Sequence, residues 1–366
     1  MVSINRRLFE EHFEKIPVVR ASLFDTSPSQ LSDVFTFDRI EGMLLGLAIG
    51  DALGITTEGW LPGRRRSQYG EIRDYIPNRY DPRPIGFPSD DSQLAFWTLE
   101  QMIQDEGFIP DNVADRFTRG RIFGIGSAVK EFIRRRRDEG CEWYECGARS
   151  AGNGALMRIA PIVIPHLASG GAELFIDTAL LAMTTHNDTS SIASCVAFVN
   201  ILWHLLSMTE PPEPEFWVDM FCNTAGQLET DARYNPRGGK HTEYCGSLSE
   251  YVRTYVPDAY EKGLPVLEAV DIWYSGAYLL ETVPSVIFIL MKHGHDPEEA
   301  IVRAVNDTKD NDTIGAIVGA AMGALHGKKG LPKRWIDNLS GRTTDRDDGK
   351  IFELIQESRK TFWRSD

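Results

Sequence analysis

Glycine recurs at every fourth position in two stretches of this chain: Gly42, Gly46, Gly50 and Gly54 in EGMLLGLAIGDALG, and Gly315, Gly319, Gly323 and Gly327 in TIGAIVGAAMGALHG. The apolar residues between them follow a helical period, so each series runs along one side of a helix. A glycine inside a helix costs about 1 kcal/mol relative to alanine, so eight such positions require compensation. Close approach of two backbones supplies it: helices striped in this way pack at short interaxial distance and bring the polar residues at their ends to one place. Tight core packing alone accounts for the stripes, but not for the acids beside them.

Two acidic runs stand at helix starts. Ser89-Asp90-Asp91-Ser92 opens a helical pattern over 92–105, and Lys309-Asp310-Asn311-Asp312-Thr313 opens the second glycine-striped helix. Taken singly, each reads as a cap, because Asp, Asn, Ser and Thr favour helix starts and acids favour the positive end of the dipole. A cap uses one side chain, however, and each run offers two carboxylates. Asp90, Asp91, Asp310 and Asp312 brought together would repel unless protonated or balanced by cations, and four carboxylates match two divalent ions in formal charge. All donors are oxygens, with the Ser89 and Thr313 hydroxyls in support and no Cys or His nearby in sequence. That chemistry favours Mg²⁺, or Mn²⁺, over zinc. A binuclear centre of this kind holds substrate oxygens, polarises a leaving group and lowers the pKa of water. Glu58, just beyond the first stripe, reads either as an exposed loop acid or as a general acid/base beside the metals. In ARSAGNGALMR, the residues Ser150, Gly152, Asn153 and Gly154 form a small-residue turn whose N–H groups can approach a diphosphate, although an ordinary turn has the same composition. His186, in MTTHNDTS, reads as a capping or packing residue as readily as a functional one.

With 39 Lys and Arg against 53 Asp and Glu, the net charge is −14, which disfavours a nucleic-acid partner and suits a basic protein. The five cysteines, Cys141, Cys146, Cys195, Cys222 and Cys245, are odd in number with no CxxC pair, as expected of free thiols in a reducing compartment. The start, MVSINRRLFEEHFEKI, lacks the apolar region of a secretory signal, and the apolar runs at 192–206 and 283–291 are too short or interrupted to span a membrane. A cytoplasmic location is expected. Helical periodicity covers roughly 38–55, 92–105, 111–137, 154–169, 171–184, 189–207, 214–228, 266–293, 297–306, 313–326 and 350–363, with hardly any strand alternation. The expected class is all-α, a compact multi-helix domain. The span 211–265 is weaker and reads as an insertion or a set of short helices. Arg134 to Arg137 reads as a helix end with its cations in solvent. Residues 1–37 stand apart, with a short amphipathic helix expected over 6–15 and an irregular stretch after it.

In order along the chain, DRIEGMLLGLAIGDALG with Glu58, SDDS, SAGNGALMR, Thr185-His186, ETVPS at 281–285, and DNDT before the second glycine helix resemble the ADP-ribosylglycohydrolase family, whose namesake is the dinitrogenase reductase-activating glycohydrolase. The motifs span about 38–335. The resemblance implies an all-α catalytic domain over 38–366 with two Mg²⁺ ions, cleaving ADP-ribose from an acceptor on a modified protein, with arginine ahead of serine or a small molecule. It implies Ser89, Asp90, Asp91, Asp310, Asp312 and Thr313 as metal ligands, Glu58 and Asp91 as catalytic residues, Ser150, Gly152, Asn153 and Gly154 as diphosphate contacts, and His186 as a substrate contact. Serine stands in SDDS where the family usually has threonine. Lys309 and Asn311 replace more usual small or acidic residues, which is expected to alter metal affinity. Residues 1–37 precede the usual start of the family domain. They are expected to be either a structural arm or, as in the immunity-protein branch that protects against ADP-ribosylating toxins, a docking segment carrying Phe24, Asp25, Phe35 and Phe37 that occludes a cognate transferase. The alternatives are a housekeeping hydrolase without a toxin partner and a pure toxin-binding protein with a dispensable site.

Overall fold

The computed structural model describes residues 3–32, 35–77 and 82–363. Among these the chain is all-α, its helices joined by turns and a few isolated bridges. The α-helices are α1 (Ile4–His12), α2 (Phe37–Gly54), α3 (Pro62–Tyr69), α4 (Asp90–Gln104), α5 (Pro110–Phe117), α6 (Ser127–Ile133), α7 (Leu174–Thr185), α8 (Thr189–Leu205), α9 (Pro214–Leu228), α10 (Leu248–Glu261), α11 (Val266–Trp273), α12 (Leu279–His293), α13 (Pro297–Asp307), α14 (Asn311–Gly330), α15 (Lys333–Asp337) and α16 (Lys350–Phe362).

The glycine stripes meet each other. Helices α2 and α14 run antiparallel with Gly42 against Gly323, Gly46 against Gly319, Gly50 against Gly315 and Gly54 against the Asn311–Asp312 backbone. A Cβ on any of these glycines would overlap main-chain atoms of the other helix; one on Gly315 would lie 2.7 Å from the Gly50 carbonyl oxygen. Gly327 ends the pattern differently: at φ 71° it breaks α14 beside Asp38. The stretch Phe37–Thr57 is the one described helical segment long and apolar enough to cross a bilayer, and 83% of its apolar window is buried in the protein. Sequence periodicity had drawn attention to other apolar runs. Around this pair, α8 and α12 are almost wholly buried along their length.

Several expected helices are broken, each for a local reason. The run 111–137 divides into α5 and α6, because Gly120 and Gly124 between them have φ of 99° and 58°. The run 266–293 divides at Tyr274 and Ser275, both at positive φ (79° and 51°). The pattern over 154–169, which holds Pro161 and Pro165, is tighter 3-10 helix instead of α. Within 211–265 lies a full helix, α10, capped by the Ser247 hydroxyl and burying Leu248, Tyr251, Val252 and Val256. Arg134 and Arg137 are exposed as expected, but Arg136 is held by Asp111, Asp115 and the Cys141 carbonyl, and Arg135 by the Cys146 and Gly147 carbonyls. All five cysteines are unpaired.

The N-terminal segment is packed down. Phe9, Ile16, Val18, Phe24 and Phe37 belong to the hydrophobic core, with Phe9 fully buried. Phe35 packs edge-on against Trp363. Polar ties fasten the segment: Asn5 to Asp177 and the Phe108 carbonyl, Arg6 to Glu173 and Asp25, the Val19 N–H to the Leu228 carbonyl, and the Trp203 indole to the Ser29 carbonyl. The aromatics expected to project from a docking arm are thus core or core-facing residues. Burial of their rings stabilises the body, and only Asp25 of the four is exposed.

Candidate metal centre and active site

The first acidic run is positioned by a residue outside it. Asp51 follows Gly50 on α2 and is fully buried. Its carboxylate accepts from the Ser89 N–H at 2.9 Å, the Ser92 N–H at 3.0 Å and the Ser92 hydroxyl at 2.6 Å. The start of α4 is thereby tied to the glycine contact. Ser89 is the N-cap, its hydroxyl accepting from the Asp91 N–H at 3.2 Å. Capping is part of this run's work, and it leaves both carboxylates unspent. Asp90 sits against Gly124, where a Cβ would lie 2.7 Å from Asp90 Oδ1.

The second run is held by three devices. Ser275, in the positive-φ break between α11 and α12, accepts the Lys309 and Asp310 N–H groups at its carbonyl. Asn311 turns inward, its amide donating to the Gly54 carbonyl, Thr57 Oγ1 and the Val305 carbonyl, each at 3.1 Å. Arg65, buried on α3, donates to the Asn306 and Thr308 carbonyls and to Thr57, fastening the approach to this run against the turn before Glu58. Lys309 places its ammonium 3.4 Å from the Tyr274 ring centroid. The two residues expected to alter metal affinity also have contacts that serve folding: Asn311 as a clamp between elements, Lys309 as an aromatic-stacked cation.

The runs converge. Asp90, Asp91, Asp310, Asp312, Thr313 and Glu58 line one cleft of about 370 Å³. Ligand oxygens of Glu58, Asp310 and Asp312 lie within 4.8 Å of one another. Burial raises the pKa of all four aspartates: Asp90 to about 8, with the Asp51 charge adding to it, Asp310 to about 7, and Asp91 and Asp312 well above the ordinary range. Glu58 stays exposed at the mouth, yet partial desolvation and the Asp51 charge raise it too. Asp91 Oδ2 and Asp312 Oδ1 are buried with no hydrogen-bond partner among the described residues. Unpartnered buried carboxylate oxygens are costly, and an all-oxygen set of this kind fits hard divalent cations.

The opposite wall is built from the 148–154 loop and its neighbours. Asn153 donates to Asp310 at 2.6 Å and to Thr282 at 2.9 Å, so it orients an acid in place of ordinary turn work. Ser150 Oγ accepts the Gly152 N–H. Gly152 and Gly154 leave room for the imidazole of His186; a Cβ on Gly154 would lie 2.8 Å from His186 Cε1. Burial and the Arg158 charge depress His186 to about 3, so it is neutral. Arg237 lines the same cleft, paired with the buried Glu281 of ETVPS at 3.1 Å and stacked on Tyr278.

This arrangement sits in a chain whose residues 32–361 match the ADP-ribosylglycohydrolase family profile. The chain belongs to the ADP-ribosylglycohydrolase family. It is accordingly a hydrolase acting on glycosyl bonds. Among similar proteins, the ADP-ribosylarginine hydrolase Tri1 of Pseudomonas putida is 26% identical, over 83% of this chain and 74% of its own length. The ADP-ribosyl-[dinitrogen reductase] glycohydrolase of Rhodospirillum rubrum is 26% identical, over 82% of this chain and 90% of its own. A solved structure described as an ADP-ribosylglycohydrolase-related protein complex aligns with a TM-score of 0.66 and 25% identity, covering 89% of this chain and 98% of that one.

In this ADP-ribosylglycohydrolase every candidate residue named from sequence lies at or beside the cleft; Ser89 stands behind the lining as the cap. The residues that escaped the sequence reading include Asp51, Arg65, Arg158 and the cleft-lining Arg237. Asp51 alone left a signal, an acid inside an apolar glycine-striped helix.

Proposed function

We propose that this chain is a Mg²⁺-dependent hydrolase that releases ADP-ribose from modified arginine side chains of proteins. The observation that carries the reading is the pair of buried, unpartnered oxygens, Asp91 Oδ2 and Asp312 Oδ1, in a cleft where two helix starts meet. Asp90, Asp91, Asp310, Asp312 and Thr313, with Ser89 behind them, would hold two divalent cations, Mg²⁺ or Mn²⁺. Such ions, when bound, polarise substrate oxygens and offset developing charge.

The chain supplies the rest. Glu58, at the mouth and among the aspartates, accepts a proton from water as its oxygen bonds to the anomeric carbon and the carbon–nitrogen bond breaks; the guanidine leaves neutral and takes up that proton to become guanidinium. Asp91, presented by α4, orients that water together with Glu58. Asn153 keeps Asp310 turned to the cleft, and the Ser150–Gly154 turn with His186 receives the diphosphate. Arginine as acceptor rests on similarity to the P. putida enzyme. Protection against an ADP-ribosylating toxin would run through reversal of the modification; docking through residues 1–37 finds no support in aromatics buried as deeply as Phe24 and Phe37.

ADP-ribose release from an ADP-ribosylarginine protein should require Mg²⁺, stop with EDTA, and fall roughly 100-fold or more in Asp91→Asn and Asp312→Asn, several kcal/mol of lost stabilisation. Metal-supported release from serine conjugates alone would reassign the acceptor. No release from any conjugate, with metal present, would overturn the hydrolase mechanism.

A further inference from the structure

Arg158 is fully buried on the 3-10 stretch after the 148–154 loop, and no carboxylate pairs with it among the described residues. Two of its nitrogens, Nε and Nη1, have no hydrogen-bond partner among the described residues, and its guanidinium stacks on Phe117. A charge buried this way is expensive, which directs attention to the one hydrogen bond it makes. Nη2 donates to Thr185 Oγ1 at 2.6 Å, and Thr185 Oγ1 lies 2.9 Å from His186 Nδ1.

The chemistry of these groups favours one proton arrangement, since an Nδ1–H would leave the Thr185 hydroxyl proton without an acceptor. A guanidinium only donates, so Thr185 Oγ1 accepts from Arg158. Among the described residues the Thr185 hydroxyl proton then has a single acceptor within reach, His186 Nδ1. With Nδ1 accepting, a neutral imidazole carries its proton on Nε2. The backbone fixes where that proton points. Residue 186 pairs with Ala148 in a parallel bridge, and the Cε1–Nε2 edge of the ring faces Gly152 and Gly154, with Nε2 making no hydrogen bond to any described residue.

We propose that Arg158 and Thr185 are positioning residues that lock His186 as the Nε2–H tautomer, so that His186 donates a hydrogen bond across the Gly152–Gly154 turn to an anionic oxygen of the substrate's diphosphate. The ligand half of this statement rests on the proposed function; the tautomer half does not. The low pKa of His186 agrees, since it keeps the ring a neutral donor at working pH. The buried Arg158 charge adds a positive field behind that donor.

Two measurements test it on the intact, Mg²⁺-loaded protein. Long-range ¹⁵N–¹H NMR of histidine-labelled protein, with His186 assigned through loss of its signals in His186→Gln, should show an imine-type Nδ1 and a pyrrole-type Nε2. Thr185→Val should lose that preference and Thr185→Ser should keep it. Calorimetric titration with ADP-ribose should show binding about tenfold or more weaker in Thr185→Val, the equivalent of one lost hydrogen bond to a charged group, with Thr185→Ser close to wild type. A purely structural role would leave the tautomer unmoved. An Nδ1–H ring in the wild type overturns the relay, as does Thr185→Val with unchanged tautomer and affinity. A wild type with the Nε2–H tautomer but no affinity for ADP-ribose removes the diphosphate assignment, and the proposed substrate with it, while the relay stands.

Discussion

Asp51 touches no solvent, yet it sets where two candidate ligands point. Replacing it with Asn puts an NH₂ among N–H donors, so one bond from Ser89 or Ser92 is lost and a donor–donor clash arises. Asp51→Asn should weaken Mn²⁺ or Mg²⁺ binding roughly 10- to 100-fold by calorimetry, the usual range for residues that orient ligands. The aspartates themselves give a pH signature. Asp310 at about 7 and Asp90 at about 8 lie above their unfolded values, so at these two carboxyls the metal-free folded chain holds more protons than the unfolded chain from about pH 4 to 8, while the neutral His186 opposes them only below about pH 6.5. Stability of EDTA-treated protein should therefore fall as pH rises through that window. Added Mg²⁺ should raise Tm most at the alkaline end, where cations no longer compete with protons. A metal-free Tm that rises over the same range would contradict this. The candidate ligand acids were readable because they come doubled at helix starts. Arg65 and Arg158 were not, since a buried cation is defined by partners such as Thr308 and Thr185, and no local spacing encodes those contacts.

At the scale of elements, α2, α4 and α14 were legible because each has an apolar helical period and a start signal. The α11–α12 break was not. Ser275-Gly276 beside Tyr274 is only a weak turn signal, and what holds the break is distant: the Ser275 carbonyl accepts the N–H groups of residues 309 and 310. The glycine contact makes a sharp prediction. Gly46→Ala and Gly50→Ala each drive a methyl into opposing main chain, which cannot rotate away, and should cost about 3 kcal/mol or more in chemical denaturation. Gly63→Ala, on α3 with open space around it, should be neutral or up to about 1 kcal/mol stabilising. Equal effects at all three positions would mean that the stripes are only a matter of helix propensity.

For the whole molecule, the N-terminal segment is part of the structure that a truncation would damage. Deleting residues 2–35 removes Phe9, Ile16, Val18 and Phe24 from the core, each contributing roughly 1.5–3 kcal/mol of burial, and uncovers apolar surface on α7, α8 and α9. The expected result is a lower Tm and aggregation, measured by scanning calorimetry and light scattering, where a detachable arm would leave both unchanged. Sequence placed this segment outside the family domain because the family motifs begin near residue 38; burial by distant helices registers in no motif. The backbone-to-backbone seam between α2 and α14 also limits how such a protein can diversify. Because main chain sets the spacing of α2 and α14, and the Asp51 carboxylate ties the first acidic run to that seam, substitutions elsewhere in the core have little leverage on the span between the two runs. New substrate preferences must then arise in the loops around the cleft, while the gauge between its acids is inherited unchanged.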